Sequence, residues 1–326
     1  MGGSFIIAEI GNNHEGSFLL AKKMILEAHK CGADAVKFQV FKTEKYVSTY
    51  NIARFKRLKK FELKFSDFLK LKKYAEKLGL VFFGTPLDNE SLKFLIKYCK
   101  IIKISSGDNN YMKFIIEIFK NNKICIISTG FLSENEIDKL IKKIRKKFSK
   151  KIIEKNLKLL HCVSAYPPND RELNLKFIKT LSDKYNFDIG YSDHSLGGDA
   201  PVAAVALGAK IIEKHFTIDN NFSDFHDHKV SLNPKDMKKM IKKIRRLEIM
   251  LGTDNKKIQP SEKKILNLAR RSYYSSKKIS RGEILNEENL ILLRPSSKNS
   301  YKIEDKKKIL NKKSKRNINA GELIKI

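Results

Sequence analysis

Gly190-Tyr191-Ser192-Asp193-His194-Ser195 and Glu213-Lys214-His215-Phe216-Thr217 decide how the chain is read. Each stretch ends a short apolar, β-branched run, and each sets a histidine where that run stops. Between them lie Gly197-Gly198-Asp199-Ala200-Pro201 and the apolar, helix-like segment Val202 to Leu207. The pattern predicts strand, helix, strand, with an imidazole at the end of each strand. Two histidines so placed can meet in space and share a divalent metal.

The same alternation runs back to the N-terminus. Strands are predicted over residues 5–11, 35–40, 80–86, 101–107, 124–130, 157–164, 187–194 and 210–217. Helical spacing predicts helices from Ser17 as N-cap to about Lys30, over 66–77, 89–98 and 111–120, from Ser133 onward, over about 173–185, and last over 234–251. Thr43 to Phe61 reads as a longer polar connection. About eight strand-helix units over about 250 residues predict a (β/α)8 TIM barrel. A doubly wound open sheet is the rival, but its GxGxxG fingerprint after the first strand is absent. Ser261 to Ala269 then links to a different kind of sequence. There Ile279-Ser280-Arg281-Gly282-Glu283-Ile284 is echoed by Ile318-Asn319-Ala320-Gly321-Glu322-Leu323. This weak repeat predicts two tight turns in a small, pseudo-symmetric β domain of ~60 residues. The expected division is 1–260 and 261–326.

Composition narrows the function. The 326 residues are 41% hydrophobic, enough for a sizeable core. No apolar run approaches the ~18–20 residues of a membrane helix, and Phe5 to Ile10 goes straight into a strand-like run with no signal-peptide pattern. Cys31, Cys99, Cys125 and Cys162 are scattered without a CxxC pair, which predicts reduced thiols in a cytoplasmic protein rather than a disulfide or cysteine-metal framework. The net charge of +31 is dispersed over nearly every helix rather than gathered into one arm. Neither a nucleic-acid nor a membrane partner is expected from it, although it favours anionic small substrates.

In a barrel, residues at the carboxyl ends of strands face a common mouth. Those ends carry Glu9, Lys37 with Gln39, Thr85, Lys103 with Ser106, Ser128 with Thr129, Ser164 with Tyr166, His194 and His215. Alternation puts Lys37 and Gln39 on one side of their strand, and Ser192 and His194 on one side of theirs. A lysine inside an apolar strand is costly unless it meets an anion. For Lys37 and Lys103 that anion is a barrel carboxylate or a ligand's carboxylate or phosphate, and the Ser/Thr donors beside them favour the ligand. Glu213 alternates with His215 and reads as a third metal ligand or an outer partner. His161 lies within a strand and reads as packing.

These residues carry a resemblance. Ala8-Glu9-Ile10-Gly11-Asn12-Asn13-His14, Val36-Lys37-Phe38-Gln39, Gly84-Thr85-Pro86, Lys103-Ile104-Ser105-Ser106-Gly107-Asp108, Ser128-Thr129-Gly130, His161 to Pro167, Tyr191-Ser192-Asp193-His194 and Glu213 to Thr217 together resemble the sialic acid synthase family. These nonulosonic acid synthases condense phosphoenolpyruvate with an N-acylated amino sugar. The C-terminal part resembles the family's SAF (antifreeze-like) domain, with Arg294-Pro295 as its best mark.

The resemblance implies a cytoplasmic transferase with a catalytic barrel and a cap. It implies that His194 and His215 hold Mn2+ or Mg2+, and that Lys37, Lys103, Thr85, Ser106, Ser128 and Ser192 hold phosphoenolpyruvate. Glu9, Gln39, Tyr166 and Asp227 would line the reacting centre and sugar site, with Ser164 also on the sugar side. Arg294 would come from the other subunit of a domain-swapped homodimer. The acceptor is expected to be N-acetylmannosamine or a diacetamido-trideoxyhexose; the alternative is a related phosphoenolpyruvate-dependent aldolase acting on a sugar phosphate. Three stretches depart from the family pattern: Ser164 replaces asparagine, Phe222 to His228 replaces a Pro-Gly-Pro-Asp-His loop, and Arg294-Pro295-Ser296 lacks the following glycine. All three bear on which sugar is used.

Overall fold

A computed structural model describes residues 3–325. It divides into two compact units, Met1–Gly252 and Thr253–Ile326. In the first unit eight parallel strands close into a barrel. They are β1 (Phe5–Gly11), β2 (Ala35–Val40), β3 (Val81–Pro86), β4 (Ile101–Ile104), β5 (Ile124–Ser128), β6 (Leu157–Cys162), β7 (Ile189–Asp193) and β8 (Ile211–His215). Strand β1 pairs with both β2 and β8, which closes the ring. The strands are buried on both faces, so they read as near-continuous apolar runs. Ile6, Ile7, Phe38, Phe83, Ile102, Ile127, Leu159 and Ile212 are all buried in one core that the surrounding helices share.

Local signals explain where helices begin. Ser17 accepts the Leu20 N–H and opens the helix Phe18–Cys31, and Gly32 closes it at φ 86°. Ser133 and Glu136 form a reciprocal capping box at the start of Glu134–Arg145. The helices Asn89–Tyr98 and Pro234–Leu251 occupy the spans their spacing predicts.

Four expectations are corrected. The polar connection 43–61 holds two helices, Thr43–Tyr46 and Ile52–Phe61. In the longer one Ile52, Phe55, Leu58 and Phe61 recur every three residues, a helical spacing, and Leu58 and Phe61 are buried. The fourth strand stops at Ile104, and Ser106–Asp108 turns as a 3-10 helix. The short helix His226–Val230 lies in a stretch read as loop, and another, Lys150–Asn156, precedes the sixth strand. The helix Pro234–Leu251 is followed by another, Pro260–Ala269.

The second unit has its own core of Tyr273, Ile279, Leu285, Leu290, Ile309, Ile318 and Ile324. Strands β9 (Ser272–Ser275) and β10 (Leu290–Leu293) pair antiparallel. The repeated hexapeptides bond to each other: Ile279 N–H donates to Ile318 O and Ile318 N–H to Ile279 O, both at 2.9 Å. Each repeat makes the same turn. Gly282 and Gly321 take φ of 88° and 75°, where only glycine sits without strain. The glutamate after each glycine accepts the N–H three residues back, Glu283 from Ser280 and Glu322 from Asn319, at 2.9 Å in both.

Candidate active site

Strand register sets the site. Glu9 stands level with Lys37 on one side and His215 on the other, and Cys162, Ser192 and Glu213 form a row across β6, β7 and β8. Alternation turns these side chains inward. They line a cavity of about 360 Å³ at the carboxyl ends of the strands. Every site residue expected in the first unit lines it: Glu9, Lys37, Gln39, Thr85, Lys103, Ser106, Ser128, Ser164, Tyr166, Ser192, His194, His215 and Asp227. Arg294 belongs to the second unit, exposed, just after β10.

The floor is a chain of paired charges. Lys37 Nζ lies 2.9 Å from Glu9 Oε2 and 3.6 Å from Glu213 Oε2, and donates to Thr85 Oγ1 at 3.2 Å. Lys103 Nζ lies 3.4 Å from Glu213 Oε1 and donates to Ser128 Oγ at 2.6 Å. Ser192 donates to Glu213 at 2.8 Å. Glu213 therefore bridges both ammonium groups. The lysines do meet barrel carboxylates, as the plainer reading required.

Burial and pairing tune these groups in opposite directions. Burial lifts Glu9 to about 7 against the pull of Lys37. Burial would also raise Glu213, but Lys103 and Lys37 hold it down at about 2. Burial would lower Lys37, yet Glu213 and Glu9 keep it above the usual lysine value. Lys103 stays below that value because burial outweighs Glu213. Two carboxylates a strand apart thus differ in proton affinity, which is how one site holds both an acid and a permanent anion.

The two histidines meet as expected, with ring centroids 5.4 Å apart. His194 Nδ1 lies 2.9 Å from the Val163 carbonyl oxygen. A carbonyl only accepts, so Nδ1 carries a proton; burial disfavours the charged ring, but Cys162 and the Val163 carbonyl hold its pKa above the ordinary histidine value. Burial pushes His215 down to about 3, which leaves it neutral, the form that binds metal. His215 Nδ1 is buried without a hydrogen-bond partner, 3.9 Å from Asp227 Oδ2. Among the described residues no group of three His, Cys, Asp or Glu is arranged as a full cage. Two adjacent imidazoles with a nearby carboxylate instead suit an open site that water or substrate completes.

Several buried polar atoms lack partners: Glu9 Oε2 (ion-paired but outside hydrogen-bond geometry), Asn12 Oδ1, Glu213 Oε2 and His215 Nδ1 all belong to cavity-lining residues. Leaving such groups unmet costs about 1–3 kcal/mol each, a cost that a bound polar ligand removes.

Sequence reasoning missed part of the wall. Asn12, Tyr46, Arg54, Arg57, Phe131, Cys162, Phe225 and His226 also line the cavity. Asn12 donates to Gln39 Oε1 at 2.6 Å and fixes it. Arg54 donates to the Tyr46 hydroxyl, and the Arg57 guanidinium lies over the Phe225 ring. One signal was available: only 11 of the 67 basic residues are arginine, and two fall three apart in this connection. A glycine admits part of the wall, since a Cβ on Gly16 (φ +83°) would collide with the Lys60 carbonyl of the helix Ile52–Phe61. Another brings hydroxyls together, since a Cβ on Gly130 would collide with Ser106 Oγ and Ser164 Oγ. His161 is packing, bonded to the Leu173 carbonyl and stacked on Tyr191.

The NeuB family model matches residues 24–256. The chain belongs to the NeuB family. The SAF domain model matches residues 270–326, in the second unit. Among NeuB relatives, the N,N'-diacetyllegionaminic acid synthase of Campylobacter jejuni is 38% identical over 336 residues, covering 99% of each chain. The human N-acetylneuraminate-9-phosphate synthase is 31% identical over 323 residues, covering 95% of this chain and 88% of that protein. The crystal structure of the N-acetylneuraminic acid (sialic acid) synthetase from Leptospira borgpetersenii, in complex with citrate, superposes with a TM-score of 0.75 at 38% identity, covering 81% of this chain and 90% of that one. The fold is thus shared with that synthetase, and no described helix of this chain is long and apolar enough to cross a membrane.

Proposed function

We propose that the barrel condenses phosphoenolpyruvate with an N-acylated amino sugar, giving a nonulosonic acid and phosphate, with a divalent metal held by His194 and His215. One observation carries this reading: two adjacent imidazoles and two buried ammonium groups line one cavity. Lys37 and Lys103, with Thr85, Ser106, Ser128 and Ser192 as donors, bind the phosphate and carboxylate of phosphoenolpyruvate. Glu213 holds both lysines in place, so positioning supplies much of the rate. The bound Mn2+ or Mg2+ supplies Lewis acidity at the sugar aldehyde.

The chemistry then balances. C3 of the enol bonds to the aldehyde carbon, and the aldehyde oxygen takes up a proton. Water adds at C2, and the C2–O bond to phosphorus-bearing oxygen breaks as phosphate leaves. Glu9, buried and titrating at about 7, is the group suited to take the proton that water releases. Gln39 and Tyr166 orient the acceptor, with Asp227 and Ser164 beside it.

A second reading has its own support. Arg54 and Arg57 line the same cavity with no carboxylate recorded within ion-pair distance among the described residues. Such a pair suits an anionic group on the acceptor, as in a sugar phosphate. The test is phosphate release from phosphoenolpyruvate with Mn2+ and a panel of N-acyl hexosamines, each free and phosphorylated. Release with free sugars supports the first reading, and a kcat/KM favouring phosphorylated sugars supports the second. No release with any acceptor, from folded and metal-loaded protein, overturns both.

A further inference from the structure

Asp193 and Lys214 stand opposite each other on β7 and β8, and each immediately precedes one of the two histidines. Strand alternation turns them away from the cavity, and neither lines it. Both side chains are wholly enclosed, at 0% exposure, with Lys214 Nζ 2.6 Å from Asp193 Oδ2. Lys214 also donates to the Ser195 carbonyl. Asp193 Oδ1 accepts the Ser195 N–H at 3.0 Å and the Tyr191 hydroxyl at 2.9 Å. Ser195 is thus held at both its N–H and its C=O, and the backbone of His194 is fixed between Asp193 and Ser195. From the other side, Val163 fixes the His194 ring.

Stability does not account for this pair. Two buried charges lose their hydration, and replacing such a pair with apolar residues is often neutral or stabilising. The best-attested use of a buried ion pair is to fix geometry, and here it cross-links two strands one residue before the imidazoles they present. We propose that Asp193 and Lys214 form a positioning clamp that sets the separation and aim of His194 and His215 for a shared divalent cation. The clamp rests on the metal reading given above. It explains why an ion pair lies on the outer face of two strands whose inner face does the chemistry: ligand pairs must be held within about 0.5 Å of a productive geometry.

The full-length protein tests it by titration with Mn2+, with free Mn2+ read by electron paramagnetic resonance. The variant Asp193→Asn/Lys214→Met removes both charges and leaves an Asn oxygen to accept from Tyr191 and Ser195. It is expected to fold, to bind Mn2+ roughly 10–100-fold more weakly, and to shift the d–d absorption of bound Co2+, which reports ligand geometry. If that variant fails to fold, Asp193→Glu keeps both charges, lengthens the link by one methylene, and shows the same loss at smaller size. Wild-type Mn2+ affinity and an unchanged Co2+ spectrum in a folded variant overturn the clamp alone. Failure of the wild-type protein to bind Mn2+ overturns the metal reading and the clamp with it.

Discussion

The floor and the wall of the cavity are built differently. Floor residues Glu9, Lys37, Lys103, Ser192 and Glu213 sit on strands, are buried, and bond to one another across a fixed register. Wall residues Tyr46, Arg54, Arg57, His226 and Asp227 sit on short helices between strands, and Arg54 and Arg57 are exposed. Floor charges are matched by partners, whereas the wall arginines rest on aromatic rings. The difference assigns labour. A rigid, self-paired floor suits the reacting groups common to every acceptor, and an adaptable wall suits the choice of acceptor.

Changes to the floor should cost most. His215→Ala, or chelation of the metal, is expected to lower kcat by roughly a thousandfold, since Lewis-acid stabilisation is worth several kcal/mol; a phosphate-release assay with and without Mn2+ measures it. Glu213→Gln removes the carboxylate that bridges both lysines and should destabilise the barrel by about 3 kcal/mol in urea unfolding. Added phosphoenolpyruvate should then raise the variant's midpoint more than the wild type's, because the ligand restores the missing anion.

The pH dependence of stability sharpens the contrast within the floor. Glu213 is held at about 2, below its ordinary 4.5, so its contribution is present above pH 4.5 and lost as pH falls toward 2. Glu9 is raised from 4.5 to about 7, so its contribution is present below pH 4.5 and lost as pH rises through 7. Glu9→Gln should therefore remove a downward slope of up to about 1.4 kcal/mol per pH unit between those values, read as urea midpoints against pH. The wall should give the smallest effect. Arg57→Ala is expected to raise KM for the acceptor about threefold to tenfold, on the order of 1 kcal/mol, with KM for phosphoenolpyruvate unchanged. An equal rise in both would erase the division between floor and wall.

What the sequence reveals follows the same line. Ala35–Val40 and Asn89–Tyr98 are legible because one is a buried apolar run and the other carries a clear helical period. Lys37 and Lys103 stand out as charges inside such runs, and His194 and His215 as the residues where two runs stop. The paired Ile-x-x-Gly-Glu repeats are legible because the turn demands glycine. The helix Ile52–Phe61 is legible only faintly: Ile52, Phe55, Leu58 and Phe61 keep a three-residue spacing, but five basic residues between them give the stretch the look of a polar connection. Glu213 is half legible. Alternation turns it inward beside His215, but only the closed ring shows that both lysines reach it.

The most direct test of the account is the mass of the product formed from phosphoenolpyruvate and an N-acyl hexosamine in the presence of Mn2+. The account predicts a product heavier than the acceptor by one pyruvate, formed with one phosphate released and roughly a thousandfold more slowly after His215→Ala. A product heavier by an enolpyruvyl group alone, which marks transfer to a hydroxyl without a new carbon–carbon bond, would contradict it.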